Sequence, residues 1–397
     1  MIRHPQKNRA LRVLHCPLLV GGNATHLSRG ERALGVESRA YALHVAPAYD
    51  STYTVDVTVL SRSTDSMLRR EWKRWVLLWK ACTWADVVHF NFGTSIFPWE
   101  WSHFTVQKGF LARAFGCYAK LLNTWDIRLL KQLGKKLFVT YQGDDARQGE
   151  YCRKQFAITF AREVETGYFT EEGDAAKRRC VAVFDRYADG IYSLNPDLLH
   201  TLPSRAKFTP YGTVDLEEWR YVAPRKAGPI RVGHAPSHRA VKGTKYVIAA
   251  VEQLQREGLE MEFVLIENMA RGEARKIYET IDILVDQLLA GWYGGLAVEF
   301  MALGRPVIAY LREEDFQFLL PGMSEDMAII SATPEGLPDV LRSLVTSGRE
   351  NLRLAGLKSR QYVEKYHDLK FLAGMWSADY LKAFTKNQET TVRTALN

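Results

Sequence analysis

Long apolar runs and low-complexity tracts are both missing from this chain of 397 residues. No run reaches the roughly eighteen apolar residues that a membrane-spanning helix requires, so the sequence does not predict a transmembrane protein. Hydrophobic residues nevertheless make up 47% of the chain, a proportion typical of a globular protein. A chain of this length exceeds one ordinary hydrophobic core and therefore predicts two domains.

Cysteine is scarce, with five residues spread along the chain: Cys16, Cys82, Cys117, Cys152 and Cys180. No pair has the spacing of a metal site or a redox motif, and an odd number does not suit a set of disulfides. Free thiols are typical of a reducing compartment. The basic and then apolar N-terminal stretch lacks a small-residue cleavage site in the right place, so we interpret it as a buried strand and expect a cytoplasmic protein.

Acidic residues are scarce between residues 61 and 140, where thirteen Lys and Arg stand against five Asp and Glu. This excess equals the net charge of +8 that the whole chain carries. The same window holds seven of the ten tryptophans: Trp72, Trp75, Trp79, Trp84, Trp99, Trp101 and Trp125. We therefore look to this window for a surface that meets an anionic partner.

Two helices are predicted inside the basic window, one over residues 66–81 and one over residues 107–133. The apolar face of the first contains Leu68, Trp72, Trp75, Val76 and Trp79. This face either packs on a core with its charged residues solvated behind it, or lies on an anionic membrane surface, so that residues 66–136 would meet lipid. Nucleic acid is a third option, but no motif supports it and we do not expect it as a partner.

Strands that end in glycine-rich or polar loops mark the first half of the chain. Residues 12–20 predict a strand, and Gly21 and Gly22 separate it from a helix that runs to Leu34. A strand that ends in two glycines before a helix is a ligand loop in some proteins. Glycines also serve turn geometry at such places about as often, and this pattern alone does not decide between the two uses.

Two more strands are predicted over residues 86–93, which contain His89, and over residues 136–141. Gln142 and Asp144 follow the second of these strands, and polar residues at strand ends are candidates for a site. His89 is either a catalytic base or a buried strand-end histidine. Asp144 and Asp145 are adjacent acids after a glycine, a pattern that commonly begins a helix, so we do not expect them to hold a metal.

The most informative stretch is residues 283–310, ILVDQLLAGWYGGLAVEFMALGRPVIAY. An apolar run leads into a glycine-rich turn and a helical pattern, and a glycine stop leads into a second apolar run. This order predicts a β-α-β unit of a parallel sheet. Loops after such strands bind ligands at the carboxyl edge of the sheet, and the start of the helix offers N–H groups to an anion.

This stretch resembles the donor-binding segment of family 4 glycosyltransferases with the GT-B fold, which are retaining enzymes that use nucleotide sugars. The similarity lies in Glu-Phe-Met-Ala-Leu-Gly-Arg-Pro-Val from Glu299 onward. The resemblance implies that Glu299 holds the ribose of the nucleotide. It also implies that Tyr293, Gly294 and Gly295 contact the donor sugar and its phosphates. The first glutamate of the family pattern falls on Gly291, where this chain departs from it.

The resemblance extends to a basic loop after a strand predicted at residues 229–236. It implies that Arg239 and Lys242 grip the diphosphate, and two cations at a helix entrance suit a leaving group whose charge grows during the reaction. The alternative is a solvated basic loop. On the acceptor side, the set of residues expected near the cleft is Gly21, Gly22, His89, Gln142 and Asp144.

The predicted fold is α/β, with two Rossmann-like doubly wound domains that face a cleft in the GT-B manner. Residues 1–222 are expected to bind the acceptor and residues 229–361 the nucleotide-sugar donor. A C-terminal helix over about residues 362–385 is expected to cross back onto the first domain, as the resemblance implies.

The predicted function is transfer of a sugar from a nucleoside diphosphate to a hydroxyl of a glycan or a lipid-linked acceptor, with retention at the anomeric carbon. The resemblance implies no cofactor and no metal. The tryptophan-rich basic window is the reason to expect a role in cell-surface polysaccharide or glycolipid synthesis, peripheral on the inner face of the membrane. Two alternatives stay open. One is a sugar-nucleotide epimerase or a phosphorylase on the same fold, and the other is a non-catalytic protein that binds a nucleotide sugar.

Overall fold

A computed structural model describes residues 2–18, 20–43, 57–60, 65–97 and 110–395. Trp99 and Trp101, which contribute to the tryptophan-rich window, lie outside the described residues, as do the first three residues of the helix predicted over residues 107–133. Within the described residues, no helix is both long enough and apolar enough to span a membrane.

Strands are described at twelve places: β1 (Arg12–Pro17), β2 (Glu37–Ala42), β3 (Val57–Val59), β4 (Val87–Asn91), β5 (Lys136–Tyr141), β6 (Gly190–Ser193), β7 (Lys207–Phe208), β8 (Ile230–His234), β9 (Met261–Leu265), β10 (Ile283–Val285), β11 (Val307–Ala309) and β12 (Ile330–Ser331). The strand predicted at residues 12–20 therefore ends three residues early.

The α-helices of the described residues are α1 (Asn23–Ala33), α2 (Met67–Thr83), α3 (Phe110–Leu122), α4 (Trp125–Gln132), α5 (Gly149–Gln155), α6 (Glu171–Tyr187), α7 (Arg239–Lys242), α8 (Thr244–Arg256), α9 (Arg271–Tyr278), α10 (Gly295–Ala302), α11 (Leu337–Thr346), α12 (Arg349–Tyr366) and α13 (Leu369–Ala395). Short 3-10 helices lie at Phe160–Arg162, Pro196–His200 and Glu313–Phe318.

Contacts divide the chain into two compact units. The first unit comprises Met1–Gln148, Glu171–Gly212 and Leu369–Asn397, and the second comprises Gly149–Thr170 and Thr213–Asp368. Residues 149–170 join the second unit through contacts such as the bond from the Phe160 N–H to the Leu289 carbonyl. The contacts thus interrupt the continuous range 1–222 at a point that the sequence pattern does not mark.

Each unit is built on one parallel sheet. The first sheet has the order β3-β2-β1-β4-β5-β6-β7, and the second has the order β12-β11-β10-β8-β9. The strand order reverses between β1 and β4 in the first sheet and between β8 and β10 in the second. Ligands of doubly wound sheets bind outside the carboxyl ends of the strands at such a switch point. The expected α/β architecture is confirmed.

Both faces of the first sheet are buried, which explains why its strands are almost continuously apolar. Along β1, Leu14 points to a core beneath α2, α4 and α6, whereas Val13 points to a second core beneath α1 and α13. Val88 and Val87 of β4 divide between the same two cores. Alternate side chains of a strand point to opposite faces of the sheet, so each strand contributes to both cores and both faces are covered by helices.

The last helix, α13, belongs to the first unit and packs closely against α1. A Cβ added at Gly30 would lie 2.9 Å from the Cβ of Ala373 and 2.9 Å from the Cγ of Leu369, so this glycine permits the close approach. Trp376 is buried beside it. The predicted return of a C-terminal helix is confirmed, but that helix begins at Leu369. Tyr362 instead belongs to α12 in the second unit.

The basic window differs from its prediction in two respects. Residues 107–133 do not form one helix, because Thr124 has a left-handed backbone (φ 59°) that separates α3 from α4. In α2 the residues that enter the core are Leu77, Leu78 and Ala81. Trp72 is exposed, so the apolar face that the sequence pattern emphasised is not the face that packs.

Candidate functional site

A cluster of polar groups lies at the switch point of the second sheet. Asp286 immediately follows β10, and its Oδ1 accepts a hydrogen bond of 2.9 Å from the Nζ of Lys242 at the end of α7. The same Nζ donates to the Oε1 of Gln287 at 2.7 Å. The Oδ2 of Asp286 accepts a bond of 2.7 Å from the backbone N–H of Gly294, which precedes α10. Asp286 therefore joins the ammonium to the start of a helix.

A glycine at residue 294 suits a tight cluster. A Cβ added there would lie 3.2 Å from the Nζ of Lys242 and 3.3 Å from the Oδ2 of Asp286. The missing side chain lets the backbone approach the ammonium. Gly295 follows as the first residue of α10, where no side chain caps the helix start. The N–H groups of Gly295 and Leu296 precede the first bonds within the helix. A cation beside a helix start is the arrangement that binds phosphate oxygens.

His234 fixes the other side of the cluster and was given no role by sequence reasoning. It is fully buried at the end of β8, with its Nδ1 2.8 Å from the Val285 carbonyl oxygen and its Nε2 2.9 Å from the Oγ1 of Thr244. Burial lowers the pKa of His234 to about 4, so the ring is neutral at pH 7. The signal that could have indicated it is a histidine at a strand end just before the basic loop.

Arg239 and Lys242 lie on the same short helix but in different surroundings. Arg239 is exposed, and its guanidinium forms an ion pair with Glu267, which follows β9, at 2.9 Å from Nε to Oε1. Lys242 is largely buried against Asp286 and Gln287. The structure therefore keeps one cation fixed at the switch point and leaves the other on a solvated side chain that can change its partner.

Glu299 is buried in α10 and forms an ion pair with Arg271 at the start of α9. Burial raises the pKa of Glu299 to about 7, although the Arg271 guanidinium acts in the opposite direction. No sequence pattern had pointed to Arg271. Arg271 begins the helix that follows β9, and β9 is the edge strand beside β8. This position is the pattern that could have indicated Arg271.

Tyr293 does not point its side chain toward the cluster. Its ring is buried, and its hydroxyl lies 3.0 Å from the hydroxyl of Tyr362 and 3.0 Å from the Nε2 of His367. These partners lie on and just after α12. The side chain of Tyr293 thus stabilises the packing of α12, and only its backbone is available for the donor contact that the sequence analysis expected.

Gly291 has a physical reason to be a glycine. Its φ of 78° is in the left-handed region, and an added Cβ would lie 2.4 Å from the Nη1 of Arg312. The Arg312 guanidinium is buried: Nη1 donates to the Oδ2 of Asp315 at 3.0 Å, and Cζ lies 3.6 Å from the centre of the Phe156 ring. The space that a side chain at residue 291 would need is therefore filled by a cation.

In the first unit, Gly21 and Gly22 form the turn between β1 and α1. Their φ angles are 61° and 73°, a conformation that glycine adopts without strain. A Cβ at Gly21 would meet no atom within 4 Å, so this side of the turn is open. The next residue, Asn23, accepts a bond of 2.8 Å at its Oδ1 from the N–H of Gly212. Gly21 therefore presents accessible backbone at the switch point of the first sheet, whereas Gly22 is buried.

His89 lies inside the core, which favours the second of its two interpretations. The side chain is fully buried between β4 and α13. Its Nδ1 lies 2.7 Å from the hydroxyl of Tyr380, and its Nε2 lies 2.7 Å from the Oγ1 of Thr140. Burial lowers the pKa of His89 well below its usual value. A histidine with both nitrogens engaged in the core joins the last helix to the sheet and is not placed to act as a base.

Gln142 and Asp144 belong to a hydrogen-bonded loop after β5. The N–H of Gln142 donates to the carboxylate of Asp145, and Asp144 forms an ion pair of 3.3 Å with Arg147. Arg147 also binds both carboxylate oxygens of Asp197, at 2.8 and 3.1 Å. Throughout the residues that the structure describes, no group of three or more His, Cys, Asp or Glu could hold a metal ion.

No family model matches the sequence, and no curated protein matches it. Solved structures do match. A sucrose-phosphate synthase from Thermosynechococcus elongatus has a TM-score of 0.60 at 14% identity, covering 95% of this chain and 100% of that one. The Anabaena protein HepE, in complex with UDP-glucose, has a TM-score of 0.57 at 12% identity, covering 94% and 100%. A glycosyltransferase from Rickettsia africae has a TM-score of 0.56 at 11% identity, covering 95% and 99%. At these identities the matches show the fold, and the fold is of the GT-B type.

Proposed function

We propose that this chain is a glycosyltransferase that moves a sugar from a nucleoside diphosphate to an acceptor hydroxyl. The observation that carries the proposal is the cluster formed by Lys242, Asp286 and Gly294 at the switch point of the second sheet. A fixed ammonium beside a helix start is suited to a diphosphate. The GT-B fold supports the same conclusion, because HepE, one of its matches, was solved with UDP-glucose.

The proposed reaction is a displacement at the anomeric carbon with retention of its configuration. The bond from that carbon to the diphosphate oxygen breaks while the acceptor oxygen bonds to the carbon from the same face. The hydroxyl proton passes to the departing phosphate oxygen, so the step needs no protein base. Lys242 and the first N–H groups of α10 stabilise the charge that grows on the phosphate. This route is compatible with the buried position of His89.

Arg239 and Glu299 complete the proposed donor site. Arg239 is exposed and bound only at its outer end by Glu267 in the described contacts, so a diphosphate can compete for it. Glu299 is proposed to accept the ribose hydroxyls, with Arg271 holding the carboxylate in position. The reaction as proposed requires neither a metal nor another cofactor. UDP is the first nucleotide to test as part of the donor, since HepE was solved with UDP-glucose.

The acceptor is proposed to be a glycan or a lipid-linked saccharide, and the protein to be cytoplasmic and peripheral on a membrane during cell-surface polysaccharide or glycolipid synthesis. The observation that supports membrane association is the surface of α2, where Leu68 and Trp72 are exposed to solvent at 83% and 65%. Exposed leucine and tryptophan beside basic residues are typical of a helix that lies on a membrane surface.

A non-catalytic protein that binds a nucleotide sugar is the second candidate. The observation that favours it is the Arg312 guanidinium, which fills the space beside Gly291 where the related pattern has an acid. The two candidates share the phosphate cluster and differ in turnover. Release of free nucleoside diphosphate from the nucleotide sugar in the presence of acceptor separates them, because a binding protein releases none.

The first experiment is a thermal-shift series with UDP, GDP, ADP and their sugars. A ligand that binds the native state raises the melting temperature by mass action, and one nucleotide should do so in the wild type. The shift should be lost in Lys242→Met and reduced in Arg239→Ala. Arg342→Ala is the control, because Arg342 is also an arginine at the surface of the second unit and forms ion pairs with acids, Glu257 and Asp339. No shift with any nucleotide, or equal losses in both arginine variants, would contradict the assignment.

A further inference from the structure

A pocket of about 330 Å³ opens on the first unit, and its lining includes none of the residues assigned to the donor or acceptor. Its lining is basic and aromatic and contains no acid: Arg12, Arg39, Tyr41, Trp79, Lys80, Thr83 and Trp84. This volume is at the small end of the range for ligand sites, which is about 300–1,000 Å³. Three cations around a cavity of this size indicate an anionic ligand.

The period of the strands places the pocket at the end of the core. Arg12 and Leu14 of β1 lie on the same face of the sheet, as do Arg39 and Tyr41 of β2, and Leu14 is in register with Arg39. Leu14 and Tyr41 are buried beneath the helices. Arg12 and Arg39 therefore stand where the buried face gives way to the surface, opposite the last turn of α2.

Aromatic rings hold the cations in position. The Arg39 guanidinium lies 4.3 Å from the centre of the Trp84 ring, and the Arg12 guanidinium lies 5.9 Å from it. The Lys80 ammonium lies 5.3 Å from the centre of the Tyr41 ring. Stacking of this kind orders long basic side chains before a ligand arrives.

Glu37 offsets part of the charge of the pocket. Its Oε2 accepts a bond of 2.9 Å from the Nε of Arg12. The four charged groups together therefore carry a net charge of two positive units. An anion that enters beside Arg39 and Lys80 meets cations that aromatic rings position.

The pocket is continuous with the exposed face of α2. Leu68, Trp72 and Trp79 fall on one side of a helix with about 3.6 residues per turn, and they are exposed at 83%, 65% and 65%. Trp79 also lines the pocket. Arg69 and Lys80 lie along one border of the apolar stripe. An apolar stripe with a basic border is the surface that enters the headgroup region of a bilayer.

We propose that the pocket binds the phosphate headgroup of an anionic phospholipid while the stripe formed by Leu68, Trp72 and Trp79 enters the bilayer surface. The occupant is a membrane that contains phosphatidylglycerol or a lipid of the same headgroup charge. Trp79 belongs to both parts, so the two contacts form one docking surface. This inference deepens the proposed membrane association and does not depend on sugar transfer, since binding needs no donor.

The experiment is co-sedimentation of the full chain with vesicles of phosphatidylcholine, with and without phosphatidylglycerol. Binding should require the anionic lipid. Arg39→Gln and Lys80→Gln should each weaken it about fivefold, which is the effect of one basic residue near an anionic surface. Lys207→Gln is the matched control, because Lys207 is exposed on β7, at the opposite edge of the sheet from β2. It should bind as the wild type does.

The apolar stripe has its own pair of variants. Trp72→Ala should reduce binding to anionic vesicles, whereas Phe371→Ala should not, because Phe371 is half-exposed on α13, which covers the opposite face of the sheet. Melting temperatures measured beside the binding data identify any variant that fails to fold. Trp79→Phe keeps an aromatic ring and should retain most of the binding.

Several outcomes overturn the inference. Equal weakening by Lys207→Gln and Lys80→Gln would show binding by net charge rather than by the pocket. Glycerol phosphate that raises the melting temperature without vesicle binding would show a site for a soluble anion. If a single-stranded oligonucleotide displaces the vesicles at a concentration below that of the anionic lipid, the surface binds nucleic acid. A nucleotide thermal shift that persists while vesicles fail to bind would overturn this inference and leave the proposed function standing.

Discussion

Replacing Gly291 by alanine should destabilise the second unit by about 2–5 kcal/mol. The first contribution is the backbone, since a φ of 78° costs an L-residue about 1–2 kcal/mol. The second contribution is the collision of the new methyl group with Arg312, whose Nη1 would lie 2.4 Å away and whose Cζ would lie 2.6 Å away. Overpacking of this kind costs about 1–3 kcal/mol.

Arg312 cannot move aside without losing its own partners. Its Nη1 donates to Asp315 at 3.0 Å, its Nη2 donates to the Ile158 carbonyl at 3.2 Å, and its guanidinium stacks on Phe156. Moving it would leave the buried carboxylate of Asp315 without this cation, and an uncompensated buried charge is costly. The collision should therefore appear in full rather than relax into a small rearrangement.

Urea unfolding followed by hydrogen exchange of amides in β8, β10 and β11 measures the stability of the second unit by itself. Gly258→Ala is the matched control: Gly258 has a φ of 86°, and an added Cβ would meet no atom within 4 Å. That variant should lose only the backbone contribution. If Gly291→Ala and Gly258→Ala lose the same free energy, the reasoning about Arg312 is refuted.

Three further predictions follow from buried groups. As the pH falls from 6.5 to 4, the free energy of unfolding of the wild type should fall by about 3 kcal/mol more than that of a His234→Gln variant. The reason is that His234 takes up a proton in the unfolded chain but stays neutral in the native protein; urea unfolding across this pH range measures the difference. Gly356→Ala should prevent close packing of α12, since its Cβ would lie 2.0 Å from the Gly304 carbonyl oxygen, whereas Gly272→Ala, with open space around it, should stabilise α9 slightly; melting temperatures distinguish them. A chain that ends before Leu369 should lose cooperative unfolding of the first unit in calorimetry, because Trp376 and Tyr380 would no longer cover the sheet; a cooperative transition in that truncated chain would contradict the role of α13.

The elements of the second unit were predictable because the residue types in the sequence mark where each element begins and ends. Buried parallel strands are almost continuously apolar, and residues 283–310 supply two of them with a glycine turn before the helix and Gly304 after it. The resemblance to the family pattern singled out Lys242, and the structure places it beside Asp286 at the same sheet edge. Order along the chain and the direction of the strands were sufficient for the strands and the helix.

The direction of a side chain was not predictable in the same way. Helical period shows that α2 has apolar faces, but only packing decides that Leu77 and Leu78 enter the core while Trp72 meets solvent. Tyr293 follows a glycine turn that suggests a ligand, yet its hydroxyl bonds Tyr362, which is distant in sequence. His89 likewise finds its partner on the last helix. Contacts over long sequence separations leave no local pattern.

The two ends of the proposed donor site differ in how this chain has built them. At the phosphate end, Lys242 and Gly294 share the carboxylate of Asp286, so the ammonium is already in position before a ligand arrives. Beside Gly291, where the related pattern provides an acid, the chain places the buried guanidinium of Arg312. Preorganised groups contribute more binding energy than groups that must be ordered. The affinity of this site should therefore come from the nucleoside diphosphate, and selection of the sugar must rest on groups other than the acid that the related pattern uses.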